Sequence, residues 1–278
     1  MCVNDTGVGL DGRRPDPVPA ERVAEEIRAA GGQALALAAD GRTRLGAEAL
    51  IAAVQDWIGV TPSVLVHAAG TLRDGMVHKT SDEDWSEVLG SHLAVAVELT
   101  RALAGTIRRE GYGRIVYLGG AAGLVGSVGQ AAYAVAKAGL FGLTRAVALE
   151  MAGRNVCVNY VAPFAFTRMT ESIPPATEQL RRYLDAAPGA RPHDVAPLVA
   201  WLCSPAAAGV SGQIFGARGA EVTVWSQPRP ALRFVDPQGW NDNSLTSLRT
   251  QLEPDLVPLE SEFDLFGGPP VPVGGAPE

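Results

Sequence analysis

The sequence has few of the residues that mark metal-binding, disulfide-rich or nucleic-acid-binding proteins. Only three cysteines and four histidines occur among 278 residues, and none of them has the spacing of a metal site. An odd number of widely spaced cysteines indicates free thiols in a reducing compartment, so we expect a cytoplasmic protein. The net charge of −7 and the lack of any Lys/Arg run argue against a nucleic-acid partner.

Long hydrophobic runs are missing as well. No uninterrupted apolar stretch reaches the roughly 18 residues that cross a bilayer, and the first residues have no signal-peptide pattern. We therefore expect neither a membrane partner nor a secretory leader. The hydrophobic share of 47% and the charged share of 19% are typical of a globular protein with a substantial core.

Short apolar segments alternate with longer amphipathic ones over residues 1–225. The alternation predicts a doubly wound, mostly parallel α/β sheet of the Rossmann type. From residue 226 to 278 the chain is Pro-rich and without periodicity, which predicts an extended C-terminal tail with a Gly/Pro-rich end. Strands are expected near 1–5, 33–39, 63–67, 114–118, 156–161, 213–215 and 221–224, and helices near 19–30, 46–57, 82–110, 129–151, 177–187 and 192–202.

The stretch from Gly129 to Gly139 carries the strongest chemical signal. Tyr133 and Lys137 lie four residues apart among small apolar residues, so a helix places both side chains on one face. A neighbouring ammonium group favours the phenolate and would lower the tyrosine pKa from its usual value of about 10. The pair is a candidate general acid and base for a carbonyl or alcohol, but a half-buried Tyr beside a surface Lys has the same spacing.

With this stretch, several other segments make the chain resemble the short-chain dehydrogenase/reductase family over residues 1–225. The strand end Val3–Asp5, the run Ala162–Thr170 and the segments 215–219 and 225–230 are similar to the branch of the (3R)-hydroxyacyl-CoA dehydrogenases. The resemblance implies an NAD(H)-dependent oxidoreductase that acts on 3-hydroxyacyl or 3-oxoacyl thioesters. It also implies a homo- or hetero-oligomer built with subunits of the same family.

The resemblance also implies roles for individual residues. Tyr133 would be the catalytic acid/base, and Lys137 would lower its pKa and hold the nicotinamide ribose. Asp5, at a strand end, would bind the adenosine ribose, which favours NAD over NADP. The other cofactor contacts would come from Asp40 near the adenine, Gly70 under the cofactor and Thr167 at the nicotinamide amide or pyrophosphate.

Some of these assignments have a structural alternative. Asp5 could cap a loop and Thr167 could cap a helix. His92 falls where many relatives have an Asn in a proton relay. His67, which precedes Ala68 where the family has an Asn pair, is expected to be a satisfied strand-end residue rather than a catalyst.

The sequence departs from the family pattern at two places that matter for catalysis. The strand, Gly-rich turn and helix that precede the Asp5 strand in the family have no counterpart, so the pyrophosphate cradle is missing and two strand edges are left unpaired. Gly120 stands thirteen residues before Tyr133, where the family has a Ser that hydrogen-bonds the substrate oxygen. Ser127 is a candidate substitute for that serine.

Three functions remain open from the sequence. The first is a thioester oxidoreductase that starts upstream of Met1 and is impaired in cofactor binding and catalysis as given. The second is a non-catalytic subunit that pairs with a complete relative. The third is a biosynthetic enzyme that uses Tyr133 and Lys137 for proton transfer without a nicotinamide cofactor.

Overall fold

Strands and helices alternate along the chain as the sequence predicts. The computed structural model describes residues 1–9, 18–171, 178–252, 256–257, 259–266 and 269–271. The strands are β1 (Cys2–Asn4), β2 (Leu35–Leu37), β3 (Val64–His67), β4 (Gly113–Leu118), β5 (Val156–Pro163), β6 (Ile214–Arg218) and β7 (Glu221–Val224).

Helices connect and flank the strands. Several of them start at capping residues; Thr43, for example, accepts a hydrogen bond from the Gly46 amide. The helices are α1 (Val18–Ala29), α2 (Arg44–Ile58), α3 (Asp82–Leu89), α4 (Val95–Glu110), α5 (Ala122–Val125), α6 (Ala131–Glu150), α7 (Arg168–Glu171), α8 (Glu178–Ala186), α9 (Pro192–Cys203), α10 (Asp242–Leu252) and α11 (Glu262–Leu265).

A five-stranded sheet in the order β3-β4-β5-β6-β7 forms the centre of the molecule. Strands β3 to β6 are parallel, and β7 pairs antiparallel with β6. Strands β4 and β5 are buried along almost their whole length, as expected for near-continuous apolar strands covered on both faces. The predicted doubly wound α/β fold is confirmed.

Helix α6 packs against this sheet. Its Leu140 and Val147 lie in one core cluster with Ile115 and Tyr117 of β4 and Val158 of β5. By length and composition alone, α6 is also apolar enough to cross a membrane, although the sequence has no uninterrupted apolar run of that length. Packing of one helix face on the sheet accounts for this apolar character.

Strands β1 and β2 form a separate two-stranded parallel sheet. Among the described residues, neither β1 nor β3 has a partner on its second edge. The two sheets nevertheless share a core cluster, because Cys2 of β1 and Leu65 of β3 both pack against residues of α2 and α4. The two unpaired edges agree with the sequence, which has no strand to place between them.

The segment from Asp82 to Glu110, expected as one long helix, contains an interruption. A π-helical turn at Gly90–Ala94 separates α3 from α4 and carries His92. Such turns insert one extra residue and occur frequently at functional sites. The hydrophobic periodicity of the sequence continues through the turn, so it gave no sign of this change.

The C-terminal tail contains two helices, α10 and α11, where the sequence predicts only extended chain. Asn241 and Ser244 exchange side-chain and backbone hydrogen bonds at the start of α10, and Ser261 and Asp264 form a capping box at α11. These caps satisfy amide groups that a helix start leaves free. The Gly/Pro-rich end of the tail at 272–278 lies outside the described residues.

The packing of α6 predicts that two leucines on this helix contribute differently to stability. Leu140 is fully buried, whereas Leu149 is 70% exposed. Leu140→Ala should lower the free energy of unfolding by about 2–5 kcal/mol because it leaves a cavity. Leu149→Ala should change it by no more than about 0.5 kcal/mol. Urea unfolding measures both, and equal losses would contradict the packing described for α6.

Candidate active site

The first turns of α6 bring Tyr133 and Lys137 to the end of β4. The Lys137 Nζ donates a hydrogen bond of 2.7 Å to the Leu118 carbonyl and lies 5.3 Å from the centre of the Tyr133 ring. Lys137 is only 4% exposed, and Tyr133 is half-buried. The two side chains therefore share one helix face, as the four-residue spacing predicts.

Burial dominates the protonation of both groups. It lowers the pKa of Lys137 to about 7, since the ammonium form loses its hydration. It also raises the pKa of Tyr133, with the Glu262 carboxylate as the next cause. The expected lowering of the Tyr133 pKa by Lys137 is therefore wrong for this structure, because residue spacing carries no information on burial.

Gly120 faces the Tyr133 hydroxyl directly. A Cβ atom at Gly120 would lie 3.1 Å from the Tyr133 Oη, so any hydroxyl side chain at this position would reach the same space. The Tyr160 hydroxyl accepts a hydrogen bond from the Gly120 amide (2.9 Å) and donates one to its carbonyl (2.8 Å). A Cβ at Gly119 would lie 1.8 Å from the Tyr160 ring, so this arrangement requires glycine there.

Of two buried histidines near the site, His92 contacts Tyr133 and His67 contacts His92. The His92 ring meets the Tyr133 ring edge-on at 5.2 Å, and its Nε2 contacts the Thr71 carbonyl at 2.8 Å. The His67 Nε2 contacts the His92 carbonyl at 2.7 Å, and burial lowers the pKa of His67 to about 4. His67 is thus a satisfied, neutral strand-end residue, as expected. A Cβ at Gly70 would overlap the His92 ring, so Gly70 supports this histidine.

The remaining predicted cofactor residues lie at strand and helix ends. Asp5 follows β1 and its Oδ1 accepts a hydrogen bond from the Gly7 amide at 2.8 Å, which is the loop cap considered above. Asp40 follows β2 and accepts hydrogen bonds from the side chain and the backbone amide of Arg42, which lower its pKa. Thr167 caps α7 through the Thr170 amide at 3.4 Å. All three side chains therefore have local structural contacts.

Sequence reasoning missed a carboxyl group from the tail. The Glu262 Oε2 accepts a hydrogen bond of 3.0 Å from the Ala122 amide. Ala122 lies in the loop that joins Gly120 to Tyr133, a segment that includes the short helix α5. Burial raises the pKa of Glu262 to about 7. The only sequence signal was the Ser-x-x-Asp pattern at 261–264, which predicts a helix start but gives no position relative to the site.

The described residues fit one end of a dinucleotide better than the other. Lys137 uses one of its three N–H donors on Leu118 and has two left for a ribose beside Tyr133. For the pyrophosphate, the described residues contain no Gly-x-x-x-Gly-x-Gly turn between a strand and a helix. Gly119 and Gly120 join β4 to the short α5, but they face Tyr160 and Tyr133. The fit is therefore good at the nicotinamide ribose and undefined at the phosphates.

Comparisons with known proteins match this architecture. The family described as enoyl-(acyl carrier protein) reductase matches residues 15–219. Hydroxyacyl-CoA dehydrogenase ChsB1 of Mycobacterium tuberculosis is 37% identical over 261 residues, which cover 89% of this chain and 78% of that protein. The 3-oxoacyl-[acyl-carrier-protein] reductase FabG of Vibrio cholerae is 36% identical over 176 residues, covering 62% of this chain and 71% of that protein.

A solved structure extends the similarity to almost the whole chain. A short chain dehydrogenase from Mycobacterium avium superimposes with a TM-score of 0.76 at 35% identity, covering 98% of this chain and 88% of that one. Its sequence identity is high enough to reflect common descent as well as a shared fold. The chain therefore belongs to the short-chain dehydrogenase/reductase family, in the branch of the hydroxyacyl-CoA dehydrogenases.

Proposed function

We propose that the protein is an NAD(H)-dependent oxidoreductase that interconverts 3-hydroxyacyl and 3-oxoacyl thioesters, with turnover limited by the missing side chain at Gly120. The observation that carries the proposal is the Tyr133–Lys137 pair at the end of β4, facing Gly120. The names of the relatives, a hydroxyacyl-CoA dehydrogenase and a 3-oxoacyl reductase, support this substrate class.

The cofactor would supply or accept a hydride when bound. Lys137 would hold its nicotinamide ribose, and Asp5 would hold the adenosine ribose with the carboxylate oxygen that Gly7 leaves free. Gly70 and Thr167 lie at the carboxyl-terminal edge of the sheet, where ligands of doubly wound folds bind. Asp40 would contact the adenine while it retains its ion pair with Arg42.

The chain's own contribution to the reaction is proton transfer at the Tyr133 Oη. Because burial raises the pKa of this phenol, it stays protonated at neutral pH and suits donation to the oxygen of a 3-oxoacyl group. Lys137, whose pKa is about 7, changes charge in the physiological range. Its ammonium form would favour the phenolate that forms when Tyr133 gives up its proton.

A second candidate function is that of a subunit that assembles with another member of the family. The unpaired edges of β1 and β3 favour it, because open strand edges recruit further strands. One face of α6 is also open, since Val135 is 49% exposed and a Cβ at Gly142 would meet no atom within 4 Å. Such a face permits close packing against a second helix.

A third candidate is proton transfer without a nicotinamide cofactor. It is favoured by the presence of two buried groups, Lys137 and Glu262, whose pKa values are both about 7. Groups that titrate near neutral pH serve as general acids and bases. Turnover that is independent of added NADH would distinguish this function from the first.

Removing one hydroxyl tests the proposed role of Tyr133. Tyr133→Phe should lower the rate of NADH-dependent acetoacetyl-CoA reduction by about 100-fold or more, because the proton donor is lost while the ring remains. Tyr112→Phe is the matched control, since Tyr112 packs under Arg114 at the opposite end of β4. A Tyr133→Phe variant with the control's activity would exclude Tyr133 as the acid.

Introducing a hydroxyl group at position 120 tests whether the missing side chain limits turnover. Gly120→Ser should raise the rate of the same reaction by about 100-fold, because one hydrogen-bond donor to a developing oxyanion typically accelerates a reaction by that factor. Gly120→Ala adds the Cβ beside Tyr133 without the hydroxyl and should bring no gain. Equal rates for the Ser and Ala variants would contradict the proposal.

A further inference from the structure

The C-terminal helix α11 delivers a carboxyl group to the loop between Gly120 and Tyr133. The Glu262 Oε2 accepts from the Ala122 amide at 3.0 Å, and the Glu262 amide donates to the Gly126 carbonyl at 3.3 Å. Both partners belong to this loop, although they precede Glu262 by more than 130 positions. A tail residue thus contacts the chain two residues beyond Gly120.

Aromatic packing fixes α11 in this place. The Phe263 ring meets the Tyr183 ring edge-on at 4.8 Å, and the Phe266 ring lies 5.6 Å from that of Phe164. The Arg218 guanidinium lies 5.8 Å from the centre of the Phe266 ring. These contacts of Phe263 and Phe266 hold the short helix, and with it the half-buried Glu262, against Tyr183 and Phe164.

The buried carboxyl group is able to donate a hydrogen bond. Its pKa of about 7 means that the protonated form is well populated at neutral pH. Its charge raises the pKa values of Tyr133, Tyr160 and Tyr183, so it lies within electrostatic reach of all three phenols. The Ala122 amide engages Oε2, and the Ser127 hydroxyl lies beside the same carboxyl group.

A second polar group beside Glu262 lacks a partner. The Ser127 hydroxyl is close enough to the carboxyl group to lower the pKa of Glu262. Even so, its Oγ is buried and has no hydrogen-bond partner of acceptable geometry among the described residues. A buried hydroxyl beside a carboxyl group can turn its proton either to Glu262 or to a ligand that binds there. Gly120, across the loop, offers no side-chain donor of its own.

We propose that Glu262 is a residue of the substrate site and that its carboxyl group, with the Ser127 hydroxyl, supplies the hydrogen bond to the substrate oxygen that Gly120 lacks. This inference rests on the proposed function, because it assigns a partner to the oxygen that Tyr133 protonates. Glu262 and Ser127 would replace a serine at position 120 only in part, so turnover stays limited by Gly120 without being lost. It also gives the tail, which the sequence marks only as Pro-rich, a place in catalysis.

A double-mutant cycle between positions 120 and 262 tests this proposal. Glu262→Ala should lower kcat/KM for NADH-dependent acetoacetyl-CoA reduction by about 10- to 100-fold, part of it as weaker substrate binding, since the contact forms with the bound substrate and strengthens in the transition state. The same substitution in the Gly120→Ser variant should cost less than about 3-fold, because the serine provides the donor. Equal losses in both backgrounds would show that Glu262 is only structural.

Two further variants distinguish loss of the carboxyl group from loss of folded protein. Glu262→Gln keeps the size and one donor, so it should retain more activity than Glu262→Ala. Glu260→Ala removes an exposed carboxylate from the same tail and should leave kcat/KM unchanged. A gain in kcat/KM for Glu262→Ala would mean that the carboxyl group obstructs the site, and the proposal would fall.

Measuring the affinity for acetoacetyl-CoA distinguishes a wrong role for Glu262 from a wrong assignment of the reaction. If neither the native chain nor Gly120→Ser turns over acetoacetyl-CoA, the oxidoreductase function fails. Calorimetric titration with acetoacetyl-CoA then still measures the contact, and Glu262→Ala should weaken binding about 10-fold while Glu260→Ala does not. Equal affinities, or no binding to the native chain, would overturn the inference.

Discussion

The hydrogen bond from the buried Lys137 ammonium to the Leu118 carbonyl is the contact on which the site depends. It joins the first turns of α6 to the carboxyl-terminal end of β4. An amino group in this position loses most of its hydration, which lowers the pKa of Lys137 to about 7. Gly120 follows Leu118 by two residues, and a Cβ there would lie 3.1 Å from the Tyr133 Oη, so the contact joins the two segments that carry these groups.

Tyr160 compensates for the small residues at this end of β4. Its ring occupies the space that a Gly119 side chain would need, and its hydroxyl satisfies both backbone groups of Gly120. The backbone at the Tyr133 site is therefore held rigidly even though the usual hydroxyl side chain is missing. The proposed donors to the substrate lie in the following segment or contact it: Ser127 belongs to it, and Glu262 accepts from the Ala122 amide.

Local patterns predicted most of the sheet and the Tyr133–Lys137 pair, because strand runs, helix periods and a four-residue spacing are short-range features. Long-range features escaped prediction. The raised pKa of Tyr133 follows from burial by distant segments, including the tail. The place of Glu262 depends on aromatic contacts made by Phe263 and Phe266, which no local pattern encodes.

The contacts of the expected cofactor residues were also beyond what local sequence patterns predict. The positions of Asp5, Asp40 and Thr167 after strands followed from the sequence, but their contacts with Gly7, Arg42 and Thr170 did not. These contacts are compatible with ligand binding without requiring it. The π-helical turn around His92 was not predicted either, because the helical pattern of the sequence continues through it.

Calorimetric titration of the purified chain with NADH tests whether Lys137 and Tyr133 form the nicotinamide-ribose end of a dinucleotide site. If they do, binding saturates at one NADH per chain. A titration with no binding signal up to millimolar NADH would contradict this assignment.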